Sequence, residues 1–290
     1  FDDPNIRLDA EGTVATSGQR KDVALNIDIH DICPKAIHLT DRWNDARFAA
    51  SVAADLRASA INDSQGKVRI SNFSMISSTD TCAIGNITLA AGYNGGTHTI
   101  RLDSDFGNIE MTGQFDYSTL GKSLANVVGR SLPTLPGLPR VSPTLGNNFV
   151  IKADITSTSW MKPLLNIPLD IHSPLTLNAR LDDSRKDITL NARLDEFSYS
   201  DNIYRNAAIA MSSPLDTLHL DASVDKLMGN GDTMQLGASC AAAGNRLLSS
   251  LRWNNGEAKK KLSGELNATA SFFGNGNGNN SASIAINPSH

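Results

Sequence analysis

Residues 175–195 state one pattern twice. Leu175-Thr176-Leu177-Asn178-Ala179-Arg180-Leu181-Asp182 returns as Ile188-Thr189-Leu190-Asn191-Ala192-Arg193-Leu194-Asp195, offset by 13 residues. Asp183-Ser184-Arg185-Lys186-Asp187 lies between the copies. Each copy alternates apolar and polar residues without a break, which is the period of a β-strand with one dry and one wet face. Two such copies joined by a polar turn predict a hairpin whose Leu, Ile and Ala side chains share a face. A helix cannot satisfy this period, because its apolar positions must recur every three or four residues.

The same grammar fills most of the chain. Leu25-Asn26-Ile27-Asp28-Ile29, Thr99-Ile100-Arg101-Leu102-Asp103 and Phe149 to Ile155 alternate, as do Leu218 to Asp225 and Leu262 to Ala270. Turn-forming residues separate them at Asn62–Gly66, Tyr93–Gly96, Asn254–Gly256 and in the Gly/Asn run 274–280. One segment departs from the pattern. Tyr117 to Leu132 carries Leu120, Leu124, Val127, Val128 and Leu132 at helical spacing. Asp116 or Ser118 is placed to cap its start. Pro133, Pro136, Pro139 and Pro143 prevent the helix from continuing. The expected organisation is a front β segment over 1–116, a helix plus Pro-rich segment over 117–144, and a rear β segment over 145–290 continuous with the first. A second helical turn is expected at Ser159–Lys162, before Pro163 and Pro168.

Composition narrows the function classes. Hydrophobic residues make up 40% and aromatics only 6%, so the apolar content is mostly small and aliphatic. This suits a thin, extended sheet better than a compact core built on large rings. The net charge of −4 gives no electrostatic footprint for nucleic acid. No apolar run reaches the length of a membrane span. Cys33, Cys82 and Cys240 are few, odd in number and far apart, unlike a disulfide framework. The chain opens at Phe1 without a basic and apolar leader, and its last residues still alternate, so we read it as part of a longer protein.

Candidate chemistry is sparse. His30, Asp31, Cys33 and His38 cluster in sequence but match no common zinc spacing, and we expect no metal. Gly121-Lys122-Ser123 resembles the tail of a phosphate loop, yet Asp116 stands where its first glycine belongs and the segment reads as helix, so no nucleotide is expected. Gly229-Asn230-Gly231-Asp232 resembles a single calcium-repeat unit, which works only in series, and reads as a tight turn. There is no Gly-x-Ser-x-Gly nucleophile elbow. His219, Asp154, Asp221 and Asp225 fall on polar beats of their strands, and Cys240 on an apolar one. The residues present no catalytic constellation and no cofactor motif, and the expectation is of a non-enzyme.

Gly113-Gln114-Phe115-Asp116-Tyr117-Ser118-Thr119-Leu120, then Leu124, then Leu132-Pro133-Thr134-Leu135-Pro136 form a passage set among alternating strands. In this the chain resembles Bacteroidetes-type members of the TamB family, the translocation and assembly modules, within the wider AsmA-like group of bacterial envelope proteins. Pro34 to Thr40 and Gly66 to Phe73 are in the same style. The resemblance covers about half the chain, and its motifs are mostly strand grammar. It implies a periplasmic bridge anchored in the inner membrane, with strands curled into an open trough, the β-taco, whose inside is greasy. It further implies phospholipid transport between the membranes, outer-membrane protein assembly, and a β-barrel assembly partner. The chain lacks the family's anchor and the match to its C-terminal end, so it would be an internal segment of such a bridge.

The expected fold is therefore mainly β: an elongated, curled, antiparallel-rich sheet forming an open trough, interrupted by one amphipathic helix. The expected partners are phospholipid acyl chains, in a lining formed by Leu175, Leu177, Ala179, Leu181, Ile188, Leu190, Ala192, Leu194, Leu218, Leu220, Ala222 and Val224. The helix would turn Leu120, Leu124, Val127, Val128 and Leu132 toward the groove. A continuous aliphatic groove offsets about 0.8 kcal/mol for each lipid CH₂ it takes from water, without a specific polar pocket. The rival readings are a self-filled β-solenoid stalk or adhesin-like protein, and a carbohydrate-active β-helix enzyme. Irregular strand spacing counts against the first, and the absence of a concentrated acidic or basic face against the second.

Overall fold

The computed structural model describes residues 1–138, 145–256, 261–274 and 280–287. Pro139, Pro143 and the Gly/Asn run over 275–279 lie outside them. The protein is mainly β. Its strands are β1 (Asp2–Asp3), β2 (Ile6–Ser17), β3 (Arg20–Ile32), β4 (Arg47–Ala58), β5 (Gln65–Ile76), β6 (Thr81–Asn94), β7 (Thr97–Ser104), β8 (Gly107–Gln114) and β9 (Asn148–Ile155). They continue with β10 (Leu169–Ile171), β11 (Leu175–Asp182), β12 (Asp187–Tyr199), β13 (Asn202–Ser212), β14 (Leu218–Leu227), β15 (Thr233–Ala243), β16 (Arg246–Asn254), β17 (Ser263–Gly274) and β18 (Asn280–Asn287). The α-helices among the described residues are α1 (Leu120–Ser131) and α2 (Met161–Leu165).

The chain divides into two compact units, Phe1–Thr112 with Ala153–Ile171, and Gly113–Lys152 with His172–His290. Both are antiparallel meanders, in which most strands return beside the last through a short turn, while the 33–46 segment joins β3 to β4. In neither unit do the strands close into a barrel.

In the first unit, β2 to β7 pair in chain order. The register aligns apolar residues across the strands: Gly12, Leu25, Ala54, Val68, Leu89 and Leu102 form one row, and Ala10, Ile27, Val52, Ile70 and Ile87 the next. Bulges beside Arg7, after Ile29 and after Ala49 restore this alignment where a strict two-residue period would lose it. Gly66 shows how close the strands come. Its φ is +133°, and a Cβ there would stand 2.0 Å from the Asp55 carbonyl oxygen. One end of this apolar face is covered by the segment between β3 and β4. Cys33, Ala46 and Met75 are buried there. Trp43 meets Phe48 edge-on at 5.2 Å, and Phe48 meets Phe73 at 6.1 Å. Asp31 closes the corner by accepting from Arg47, with Arg7 3.9 Å away. At the other end Val14, Leu56, Leu89 and Tyr93 stay exposed.

In the second unit, β11 to β18 pair in chain order. The sequence repeat becomes the β11–β12 hairpin, with its turn at 183–186. Because the copy folds back on itself, large meets small: Leu177 faces Ala192 and Ala179 faces Leu190, while Leu181 faces Ile188. The wet face pairs Thr176 with Arg193 and Asn178 with Asn191.

Helix α1 begins later than residue 117 and is capped differently from expectation. Its N-cap is Thr119, which makes no side-chain cap bond. The Asp116 carboxylate instead accepts from the Ser118 N–H and hydroxyl in the turn before it. Helix α2 forms at Met161–Leu165, with Pro163 in its first turn, where a missing N–H costs no helical bond.

Candidate apolar groove

Four rows of side chains cross the second unit on the face opposite its Asn and Arg residues. Leu218, Ala242, Leu247, Ala270 and Ile284 form the first row. Ala179, Leu190, Met211, Leu220, Cys240, Ser249, Ala268 and Ile286 form the second, across all eight strands. The third is Leu177, Ala192, Ile209, Ala222, Ala238, Leu251 and Leu266. The fourth is Val224, Leu236, Trp253 and Gly264. With strands about 4.8 Å apart, eight of them carry an apolar row roughly 34 Å across.

All twelve residues expected to line a groove lie at apolar-face positions. Leu181, Ile188 and Leu194 are buried; Leu175, Leu177, Ala179, Leu190, Ala192, Leu218, Leu220, Ala222 and Val224 are half-buried. The polar residues between them in the repeat, such as Thr176, Asn178, Asn191 and Arg193, are exposed. β13 and β15–β17 complete the rows with Ile209, Leu236, Leu251, Trp253 and Leu266, which the sequence reading did not single out. The signal was the same two-residue period, in Met234-Gln235-Leu236-Gly237-Ala238.

The first row is stoppered. Leu132, Ala242 and Phe272 form a buried cluster, with Val128, Leu135, Leu218, Leu247 and Ala270 packed on it. The stopper is the end of α1 and the turn after it. Asn245 pins that turn: its side-chain oxygen accepts from the Thr134 N–H and hydroxyl, and its own N–H donates to the Ser131 carbonyl.

The helix is turned differently from the expectation that all five apolar residues face one way. Val127 and Leu132 are buried and Leu120 and Val128 half-buried, but Leu124 is 52% exposed. The reason is a polar anchor. Ser123, Asn126 and Ser131 are buried on the same helix. The Asn147 amide donates to Thr119 and Ser123, and its oxygen accepts from the Asp116 N–H. Arg130 donates to both the carboxylate and the carbonyl oxygen of Asp183, whose side chain is 0% exposed. Asp183 also accepts from the Leu145 N–H. These bonds fix the helix rotation, because leaving any of the buried groups unpaired costs more than exposing one leucine. Ser123, the last residue of the Gly-Lys-Ser triplet, is thus a helix anchor.

The third and fourth rows are open. Ile209 is 44% exposed and Leu251 49%. Phe197, Tyr204, Ile209, Val224, Leu236 and Trp253 line a groove of about 530 Å³ there. Phe197 and Tyr204 stack at 5.0 Å, and the Trp253 ring lies so close over Gly264 that a Cβ would meet it at 2.3 Å. Beyond the fourth row Lys226 pairs with Tyr204 and Met234. The Lys226 Nζ stands 5.9 Å from the Tyr204 ring centre.

The polar candidates are dispersed. His30 is hydrogen-bonded to Asp9 at 2.8 Å, Asp31 is engaged by Arg47, Cys33 is buried and His38 sits in a turn with φ 59°. Among the described residues no three or more His, Cys, Asp or Glu are grouped to hold a metal. Gly229–Asp232 is the β14–β15 turn, closed by Met228 N–H to the Asp232 carbonyl. Burial, and secondarily Asp221, push the Cys240 thiol up, which keeps it a neutral apolar side chain in its row. No helix among the described residues is long and apolar enough to cross a membrane. Comparisons with protein-family models, with curated proteins and with solved structures find no match for this chain.

Proposed function

We propose that this chain is a non-enzymatic, lipid-holding segment of a cell-envelope bridge, and that its apolar face carries phospholipid acyl chains. The observation that carries the reading is the open part of the second unit's apolar face. Ile209 and Leu251 stand exposed in unbroken apolar rows, beside a groove without an acidic or basic cluster. An aliphatic face of this kind lowers the free energy of a bound chain by about 0.8 kcal/mol per CH₂, and it does so at every position along the row. Likeness to TamB proteins in Gly113–Leu120 and Leu132–Pro136 supports the envelope setting, a periplasmic location and a role beside an outer-membrane assembly barrel. The antiparallel strand order and the exposed rows favour this reading over a self-filled solenoid, whose coils stack in parallel around a dry interior.

The test uses two leucines of one strand. Leu251 and Leu248 are 49% and 51% exposed on opposite faces of β16. Leu251→Arg places a charge in the groove, while Leu248→Arg places the same charge on the wet face. Protein purified without detergent is expected to carry phospholipid, detected by mass spectrometry of an organic extract. Leu251→Arg should lose it and Leu248→Arg should keep it. Equal retention or equal loss in folded variants would refute the assignment of the groove.

A further inference from the structure

We propose that the groove of the second unit holds an anionic phospholipid in one direction, with its phosphate at Lys226 and an acyl chain running toward the stopper at Leu132 and Phe272. This rests on the lipid-groove reading above and adds the head-group class and the polarity of the site.

Three observations give the groove two unlike ends. The first is the lone charge. Lys226 extends the same alternation as Leu218, Leu220, Ala222 and Val224, and no register shift interrupts the β14–β15 pairing. Among the described residues it is the one charged side chain in these rows and in the row beyond them. Its ammonium stands over the Tyr204 ring, 5.9 Å from the ring centre, which places the charge at the aromatic rim.

The second is the aromatic rim. Phe197, Tyr204 and Trp253 gather at the Lys226 end, and the polar tips of Tyr204 and Trp253 suit the boundary between acyl chains and head groups. The third is the opposite end, where Leu132, Ala242 and Phe272 are buried together and the row beneath them carries no charge. A head group has no polar partner among those side chains, whereas a terminal methyl needs none and packs on them.

Length agrees with this polarity. From Leu236 beside the rim to Ala242 at the stopper, β15 advances six residues, roughly 20 Å at about 3.3 Å each. One leaflet of a bilayer's hydrocarbon is about 15 Å deep. A single acyl chain of that depth, laid along the strand from the rim, covers about three quarters of the span and ends about 5 Å short of the stopper. The ammonium at the rim complements a phosphate monoanion, and burying the chain supplies most of the affinity while the charge selects the head group.

The experiment loads the full chain with phosphatidylglycerol bearing a photoreactive diazirine, either on the last acyl carbon or beside the glycerol. After irradiation, peptides are mapped by mass spectrometry. The acyl-end label should mark Ala242, Leu247 or Phe272, and the glycerol-side label Tyr204, Lys226 or Trp253. Reversed labelling, or the same spread for both probes, overturns the direction and leaves the lipid-groove reading standing. Failure of either probe to enter the chain sinks both. Lys226→Gln is expected to weaken phosphatidylglycerol binding about fivefold. Binding of a diacylglycerol with the same chains should not change. No loss, or equal loss for the two lipids, removes the phosphate from Lys226.

Discussion

The two units use one design and finish it differently. Each aligns alternating strands into apolar rows, covers one end of that face with a non-strand segment, and leaves the other end bare. In the first unit the cover is a loop, held by packing: Trp43 on Phe48, Phe48 on Phe73, with Met75 and Ala46 buried beneath. In the second unit the cover is a helix, held by buried polar bonds from Arg130, Asn147 and Asn245. Packing loss grades with the volume removed, whereas a buried polar anchor fails abruptly, because its partner is left charged and dry. The first cover should therefore yield by degrees and the second all at once.

The largest expected effect tests that contrast directly. Arg130→Met leaves the Asp183 carboxylate buried without its cation, at a cost of about 3–5 kcal/mol. Urea unfolding followed by the fluorescence of Trp253, the one tryptophan of the second unit, should show the midpoint falling accordingly. A loss under about 1 kcal/mol would mean that the helix is held by its apolar contacts, and the contrast would collapse.

Met75→Ala is the counterpart in the first unit. Met75 is 2% exposed, and its truncation should cost about 2–4 kcal/mol, read from the fluorescence of Trp43 and Trp160. If the Trp253 transition moved equally, the two faces would be unfolding as one. Matched shifts from Arg130→Met and Met75→Ala at both sets of tryptophans would say the same.

The smallest effect is electrostatic and sharpens the account of the first cover. Hydrogen bonding from Arg47 holds the Asp31 carboxyl below its ordinary value of 3.8. A carboxyl depressed on folding adds stability above its unfolded pKa and loses it as pH falls through the folded value. Arg47 is 45% exposed, so solvent screening keeps the contribution small. Arg47→Ala should be less stable than the parent near neutral pH, and the gap should narrow below about pH 4. A gap independent of pH would assign the loss to Arg47's other bond, to the Pro4 carbonyl.

Much of this was legible in the residues. Alternation alone identifies Leu177, Leu190, Leu220 and Ala222 as one face, because successive side chains of any strand point to opposite sides. The doubled motif even determines its own pairing: folded about Asp183–Lys186, Leu must meet Ala. The helix after Tyr117 and its stop at Pro133 follow from spacing and from proline's missing N–H. Its rotation does not. Leu120, Leu124 and Val128 read as the buried stripe, and nothing local says that Asn147 and Asp183 will meet Ser123 and Arg130 from loops at the strand ends and turn Leu124 outward. The groove's two ends were hidden for the same reason. Lys226 and Tyr204 are far apart in the chain and become neighbours only through the β13–β14 register, which a shift between Arg205 and Ala208 resets. Local periodicity determines which side of a strand a residue faces. Only the tertiary structure decides what stands across from it, since registers, bulges and covers are settled by contacts between distant segments.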